Sequence, residues 1–224
     1  MNKKKIFIAV DTNNISKAKK IINNTQTNKI KVGYKFGLEF FYSKDGRKFL
    51  SSLKNKIIFL DLKLNDIPNT IVSAMKSLKN LKISYLTVHL SSGISALKAL
   101  KKESKNIKIA GVTTLTSLNN KDLREIGYNK KVNELVKHQV ELAKKAKLDA
   151  IVCSGHEIRS VKRVFKKEII TPGIKIHNLK NDQKRVMKPM DAFAAGSDWL
   201  VIGRSITNGN IKKNIQNLLE ILED

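Results

Sequence analysis

The stretch Ile57–Thr70 reads IIFLDLKLNDIPNT. It opens as an apolar run rich in β-branched and large side chains. It then places Asp61, Lys63 and Asp66 within six residues, followed by Pro68. An unbroken apolar run of this length fits a parallel strand buried on both faces better than the alternating pattern of a half-exposed one. Charges gathered at the carboxyl end of such a strand are what an α/β barrel needs at its catalytic rim. Asp61 and Lys63 are two residues apart, so a regular pleat points both to one face while Leu60 and Leu62 pack outward. A structural reading of the same residues stays open. Asp61 and Lys63 form a salt bridge at a strand end, and Asp66 or Asn69 caps a helix starting near Thr70.

Working outward, the same kind of run recurs. The predicted strands are Ile6–Asp11, Ile30–Lys35, Ile57–Lys63, Ser84–Leu90, Ile107–Thr114, Ala150–Ser154, Ile169–Gly173 and Trp199–Gly203. Helical patterns separate them, among them Thr70–Leu81, Ile94–Lys102, Val132–Lys147 and a closing helix near Ile211–Leu222. Eight such units without a low-complexity linker predict one (β/α)8 barrel domain over residues 1–224. A doubly wound open sheet would carry a glycine fingerprint after its first strand, and AVDTNN (9–14) has none.

Composition narrows the function classes. The 224 residues carry a formal net charge of +25, but only six of the 44 basic residues are arginine. The lysines are dispersed rather than concentrated and interleaved with aromatics, which argues against nucleic-acid recognition as the main task. No apolar run is long enough to span a bilayer. The start MNKKKIFIAVD has an apolar stretch of only five residues before Asp11, too short for a signal peptide. The single cysteine, Cys153, suits a reducing, cytoplasmic setting.

The carboxyl ends of the predicted strands hold Asp11, Lys35, the Asp61/Lys63/Asp66 group, His89, Thr113–Ser117, Cys153–Gly155, Thr171–Gly173 and Gly203–Ser205. A lysine flanked by carboxylates is favoured in its charged form, so Lys63 suits proton donation better than Schiff-base chemistry. The loops after the last two strands of barrels often bind phosphate. Here Gly203 permits close backbone approach, Arg204 offers a planar fork, and Gln183 offers an amide.

With these residues in place, the chain resembles the orotidine 5′-phosphate decarboxylase family. The resemblance rests on AVDTNN, on FLDLKLNDIPNT as a D-x-K-x-x-D-I-x-x-T signature, and on VHLSSG, GVTTLTS, TPGIK, DQKRVMKP and VIGRSIT in that order. It implies a cofactor-free and metal-free decarboxylation of a nucleotide, orotidine 5′-monophosphate, in the cytoplasm. It assigns Lys35, Asp61, Lys63 and Asp66 to an alternating charged array, with Lys63 as proton donor to C6 of the pyrimidine. Asp11 is implied at the ribose hydroxyls and Thr116 at the base. Pro172, Gln183, Gly203 and Arg204 are implied at the phosphate. Asp66, Ile67 and Thr70 are implied to reach a neighbouring subunit's site, which makes the working unit a homodimer. KVGYKFG offers both Lys31 and Lys35 as the strand-2 lysine, and the resemblance to the family's spacing to Asp61 favours Lys35. The family usually has arginine where this chain has Lys175. Two alternatives remain: a metal-dependent sugar-phosphate decarboxylase or aldolase of the same superfamily, with Glu39 as its additional ligand, and a non-catalytic basic barrel that binds nucleotides or RNA.

Overall fold

Eight parallel strands close on themselves in the order of the sequence. In this computed structural model, which describes residues 3–176 and 187–223, they are β1 (Lys5–Ala9), β2 (Lys31–Phe36), β3 (Ile57–Leu64), β4 (Tyr85–His89), β5 (Lys108–Val112), β6 (Ala150–Val152), β7 (Glu168–Thr171) and β8 (Trp199–Ile202). β1 pairs with β2 on one side and with β8 on the other, which closes the barrel. Helices between the strands cover the outside, as the (β/α)8 reading requires.

The core divides into two shells because strand side chains alternate. Ile6, Ile8 and Val10, with Ile58 and Leu60, face the helices and join the large outer core. Their neighbours Phe7, Ala9 and Phe59 face inward, with Tyr85, Ala110, Ala150, Ile170, Trp199 and Val201. Inside the barrel the Phe7 ring stacks on Trp199 at 4.0 Å and meets Phe59 at 4.9 Å. Gly33 belongs to this packing: a Cβ there would lie 2.5 Å from Phe7 Cε1. Beneath the rings, Glu168 accepts hydrogen bonds from Tyr85 and Lys108 and pairs with Lys5 at 3.5 Å. Burial alone would raise the Glu168 carboxyl, but those hydrogen bonds and the charges of Lys108 and Lys5 hold it below its ordinary range. Among the described residues, no helix is long and apolar enough to cross a membrane.

Six of the eight observed strands end one or two residues before the predicted ones, while β2 and β3 run one residue further. Asp11 and Gly203 therefore belong to the loops that follow their strands. The helix expected near Thr70 starts at Pro68, with Ile67 in the capping position and no side-chain cap. Neither Asp66 nor Asn69 caps it. Proline at the first helical position, with no amide hydrogen to satisfy, starts the helix earlier than the polar pattern suggested.

Candidate active site

At the carboxyl end of the barrel lies a cavity of about 290 Å3. Its floor is the upper edge of the inner shell, with Ala9, Phe59, Val152 and Val201. Asp11, Lys35, Asp61 and Lys63 line it as a charged wall, and Pro172, Gly203 and Arg204 line it as well, with Gly203 next to Asp11. Thr116 and Lys175 also line it, as does Cys153, whose thiol is pushed up by burial and by the nearby Glu157 charge.

The charged wall is built around one carboxylate. Asp61 Oδ2 accepts a hydrogen bond from Lys63 Nζ at 2.8 Å and lies 3.9 Å from Lys35 Nζ. Lys35 also donates to Asp11 Oδ1 at 2.8 Å. The Asp61 and Lys35 side chains are only 13% and 14% exposed, so these pairs work in a medium less polar than bulk water. Lys31 sits at the opposite end of β2, exposed and level with Lys5. Of the two lysines in KVGYKFG, Lys35 is therefore the one in the cavity.

Asp61 and Lys63 do meet, but not through a regular pleat. The β3–β4 register jumps from Leu60↔Leu86 to Leu64↔Val88, so three residues of β3 stand against Thr87 alone. Lys63 has φ of +50°, in the left-handed region that a non-glycine residue seldom occupies. This bulge turns the Lys63 ammonium back onto Asp61. Bulges beside active sites commonly re-aim a side chain in this way.

Asp66, Ile67 and Thr70 are exposed and lie outside this cavity. Asp66 accepts a hydrogen bond from the Ile67 amide at 2.7 Å, and Ile67 is 66% exposed. Asp66 and Ile67 line an open groove with Ser91–Ala96. The chain by itself thus brings Lys35, Asp61 and Lys63 together but leaves Asp66 apart. Gln183 lies outside the described residues. Glu39 is exposed and does not line the cavity. Among the described residues, no group of three histidine, cysteine or acidic side chains is placed to hold a metal ion.

His89 ends β4 near the charged wall. Its imidazole is held below the ordinary value first by burial and then by Lys63, with Asp61 opposing. Thr87 carries no signal in the sequence, although it lies two residues before His89 and so faces the same way in β4.

Residues 4–214 match the family model described as "Orotidine 5′-phosphate decarboxylase / HUMPS family". An orotidine 5′-phosphate decarboxylase from Wolbachia pipientis subsp. Culex pipiens is 39% identical over 227 residues, covering 98% of this chain and 99% of that protein. One from Carboxydothermus hydrogenoformans is 36% identical over 233 residues, covering 98% of this chain and 96% of that one. The crystal structure of orotidine 5′-phosphate decarboxylase from Lactobacillus acidophilus superimposes with a TM-score of 0.81 at 28% identity, over 97% of this chain and 98% of that one.

Proposed function

The chain belongs to the orotidine 5′-phosphate decarboxylase / HUMPS family, and from that premise we propose that it converts orotidine 5′-monophosphate to uridine 5′-monophosphate, the last step of pyrimidine nucleotide synthesis. The observation that carries this reading is the Lys35–Asp61–Lys63 cluster, two ammoniums on one half-buried carboxylate at the cavity wall. Loss of CO2 from C6 leaves an electron pair in the plane of the ring, with no adjacent π system to take it up. Stabilisation must then be electrostatic, toward the upper end of what enzymes supply, about 23 kcal/mol.

In this reading the Lys63 ammonium stabilises the charge developing at C6 and then delivers its proton there. Asp61 holds Lys63 in place and lies near the departing carboxylate. Lys35 balances Asp61 and Asp11, and Asp11 is left to bind ribose hydroxyls. Thr116 contacts the base. Arg204, Gly203, Pro172 and Gln183 grip the phosphate, and this remote binding energy orders the site for the chemical step. The reaction calls for no cofactor or metal.

The cluster lacks its second aspartate within one chain. We assign that place to Asp66 of a second copy, with Ile67 and Thr70 beside it, so that the working unit is a homodimer with shared sites. The exposure of Ile67 and Asp66 supports this. Residues 1–224 act as one barrel domain, in the cytoplasm, on a small nucleotide rather than on nucleic acid. The metal-dependent alternative needs an additional acidic ligand at the cavity, and the placement of Glu39 on the surface disfavours it.

The deciding experiment monitors the loss of orotidine monophosphate absorbance with and without a chelator. Chelator-resistant turnover, lost in Lys63→Ala, is the expected result. Absent turnover, or turnover abolished by chelation, overturns the reading. A fall of about 10⁴-fold or more is expected for Lys63→Ala, because it removes both the proton donor and the charge at C6.

A further inference from the structure

We propose that Thr87 is a positioning residue for the catalytic cluster, its hydroxyl setting the Lys63 backbone and the Asp61 carboxylate at once. The inference deepens the decarboxylase reading and rests on it. Thr87 faces the interior of β4 and is fully buried. It is the one residue of β4 that stands opposite the Asp61–Leu62–Lys63 bulge. Its Oγ1 accepts a hydrogen bond from the Lys63 amide at 2.7 Å and donates one to Asp61 Oδ1 at 3.1 Å.

These two bonds have different consequences. The first holds Lys63 at its positive φ, a conformation that costs a non-glycine residue free energy and persists only where the surroundings enforce it. Such strain aims the Lys63 side chain at the cavity rather than along the strand. The second occupies Oδ1 of Asp61, so that the other oxygen, Oδ2, faces both ammoniums, Lys63 at 2.8 Å and Lys35 at 3.9 Å. A hydroxyl suits the position because it accepts and donates in the same place. A methyl group there would leave a buried amide and a carboxylate oxygen without partners. Thr87 does not itself line the cavity, so it acts through Lys63 and Asp61 and not on the substrate.

The test compares Thr87→Val, which keeps the shape and removes the hydroxyl, with Thr87→Ser, which keeps the hydroxyl. Steady-state kinetics on orotidine monophosphate should show kcat lowered about 10²-fold in Thr87→Val with KM changed no more than a few-fold. Thr87→Ser should stay within a few-fold of the parent in both. Amide hydrogen exchange, read by NMR on the ¹⁵N-labelled protein, should accelerate at Lys63 at least tenfold in Thr87→Val and stay slow in Thr87→Ser. Should Thr87→Val fail to fold, Thr87→Ala against Thr87→Ser carries the same contrast. Undiminished kcat without the hydroxyl, or equal loss in Thr87→Ser and Thr87→Val, overturns the proposal. If the parent protein does not turn over orotidine monophosphate, the functional reading falls. The exchange rate at Lys63 still decides whether the hydroxyl holds the bulge, and unchanged exchange in Thr87→Val refutes that hold.

Discussion

Replacing Asp61 with asparagine removes the charge between two ammoniums and changes little else in size. The spacing of the three groups sets the magnitude of the effect. Lys63 Nζ is 2.8 Å and Lys35 Nζ 3.9 Å from the same oxygen of Asp61. The two ammoniums are therefore at most ~6.7 Å apart. At an effective dielectric constant of about 20, two like charges at that separation repel by ~2.5 kcal/mol, and the Lys35–Asp61 attraction at 3.9 Å is worth ~4 kcal/mol before desolvation. The cost of neutralising Lys35 should then depend strongly on its background. Lys35→Met alone should destabilise the fold, because it leaves the largely buried Asp61 with one cation fewer. In the Asp61→Asn background the same change should cost less, because the relieved repulsion with Lys63 offsets part of the lost Lys35–Asp11 pair. Urea unfolding of the four proteins, at one fixed protein concentration and with unchanged m-values, measures the coupling. An interaction energy of about 3 kcal/mol is expected. Single changes that add within ~0.5 kcal/mol would refute the view that these charges form one unit.

Mixing Lys63→Ala with Asp66→Asn, each inactive alone, should restore about a quarter of parental activity, since random exchange gives half heterodimers with one intact site each. No recovery with subunit exchange confirmed removes the shared site. Arg204→Ala should lower kcat/KM by about 10–100-fold, the worth of a charge-assisted phosphate contact; equal kinetics would take Arg204 out of the phosphate site. Gly33→Ala should cost about 1–3 kcal/mol by pressing on the Phe7 ring, seen as a Tm lowered by several degrees, and an unchanged Tm would contradict the packing. The His89 imidazole sits below its ordinary 6.5 in the folded chain, so the unfolded chain binds more protons as pH falls below that value. Stability should therefore fall from about pH 6.5 downward, and less steeply in His89→Gln; parallel losses in the two proteins would contradict the shift.

The barrel was legible because each strand announces itself as an apolar run buried on both faces. The same property blurred the strand ends, since Val10 and Leu90 continue the apolar run after ladder pairing has stopped. The rim charges were legible as a group because eight strand ends converge on one mouth. Their local geometry was not. A bulge usually signals itself with glycine, and here the left-handed residue is Lys63, held by tertiary contacts that no local pattern records. Thr87 was invisible for the same reason, a buried hydroxyl in a β-branched run that reads as core. The choice between Lys31 and Lys35 needed only the β1–β2 register, which puts Lys31 beside Lys5 at the far end of the barrel. The early start of the helix at Pro68 shows proline geometry outweighing the capping preference of Asp66 and Asn69.

The aromatic plug beneath the cavity also sets the traffic through it. Phe7 and Trp199 fill the barrel below the level of Ala9, and Glu168 with its two lysines lies below them. Among the described residues the cavity is thus closed from below, a cup rather than a tunnel. On the proposed reaction, carbon dioxide has to leave by the route through which the nucleotide entered. Carbon dioxide and the nucleotide product then share one exit.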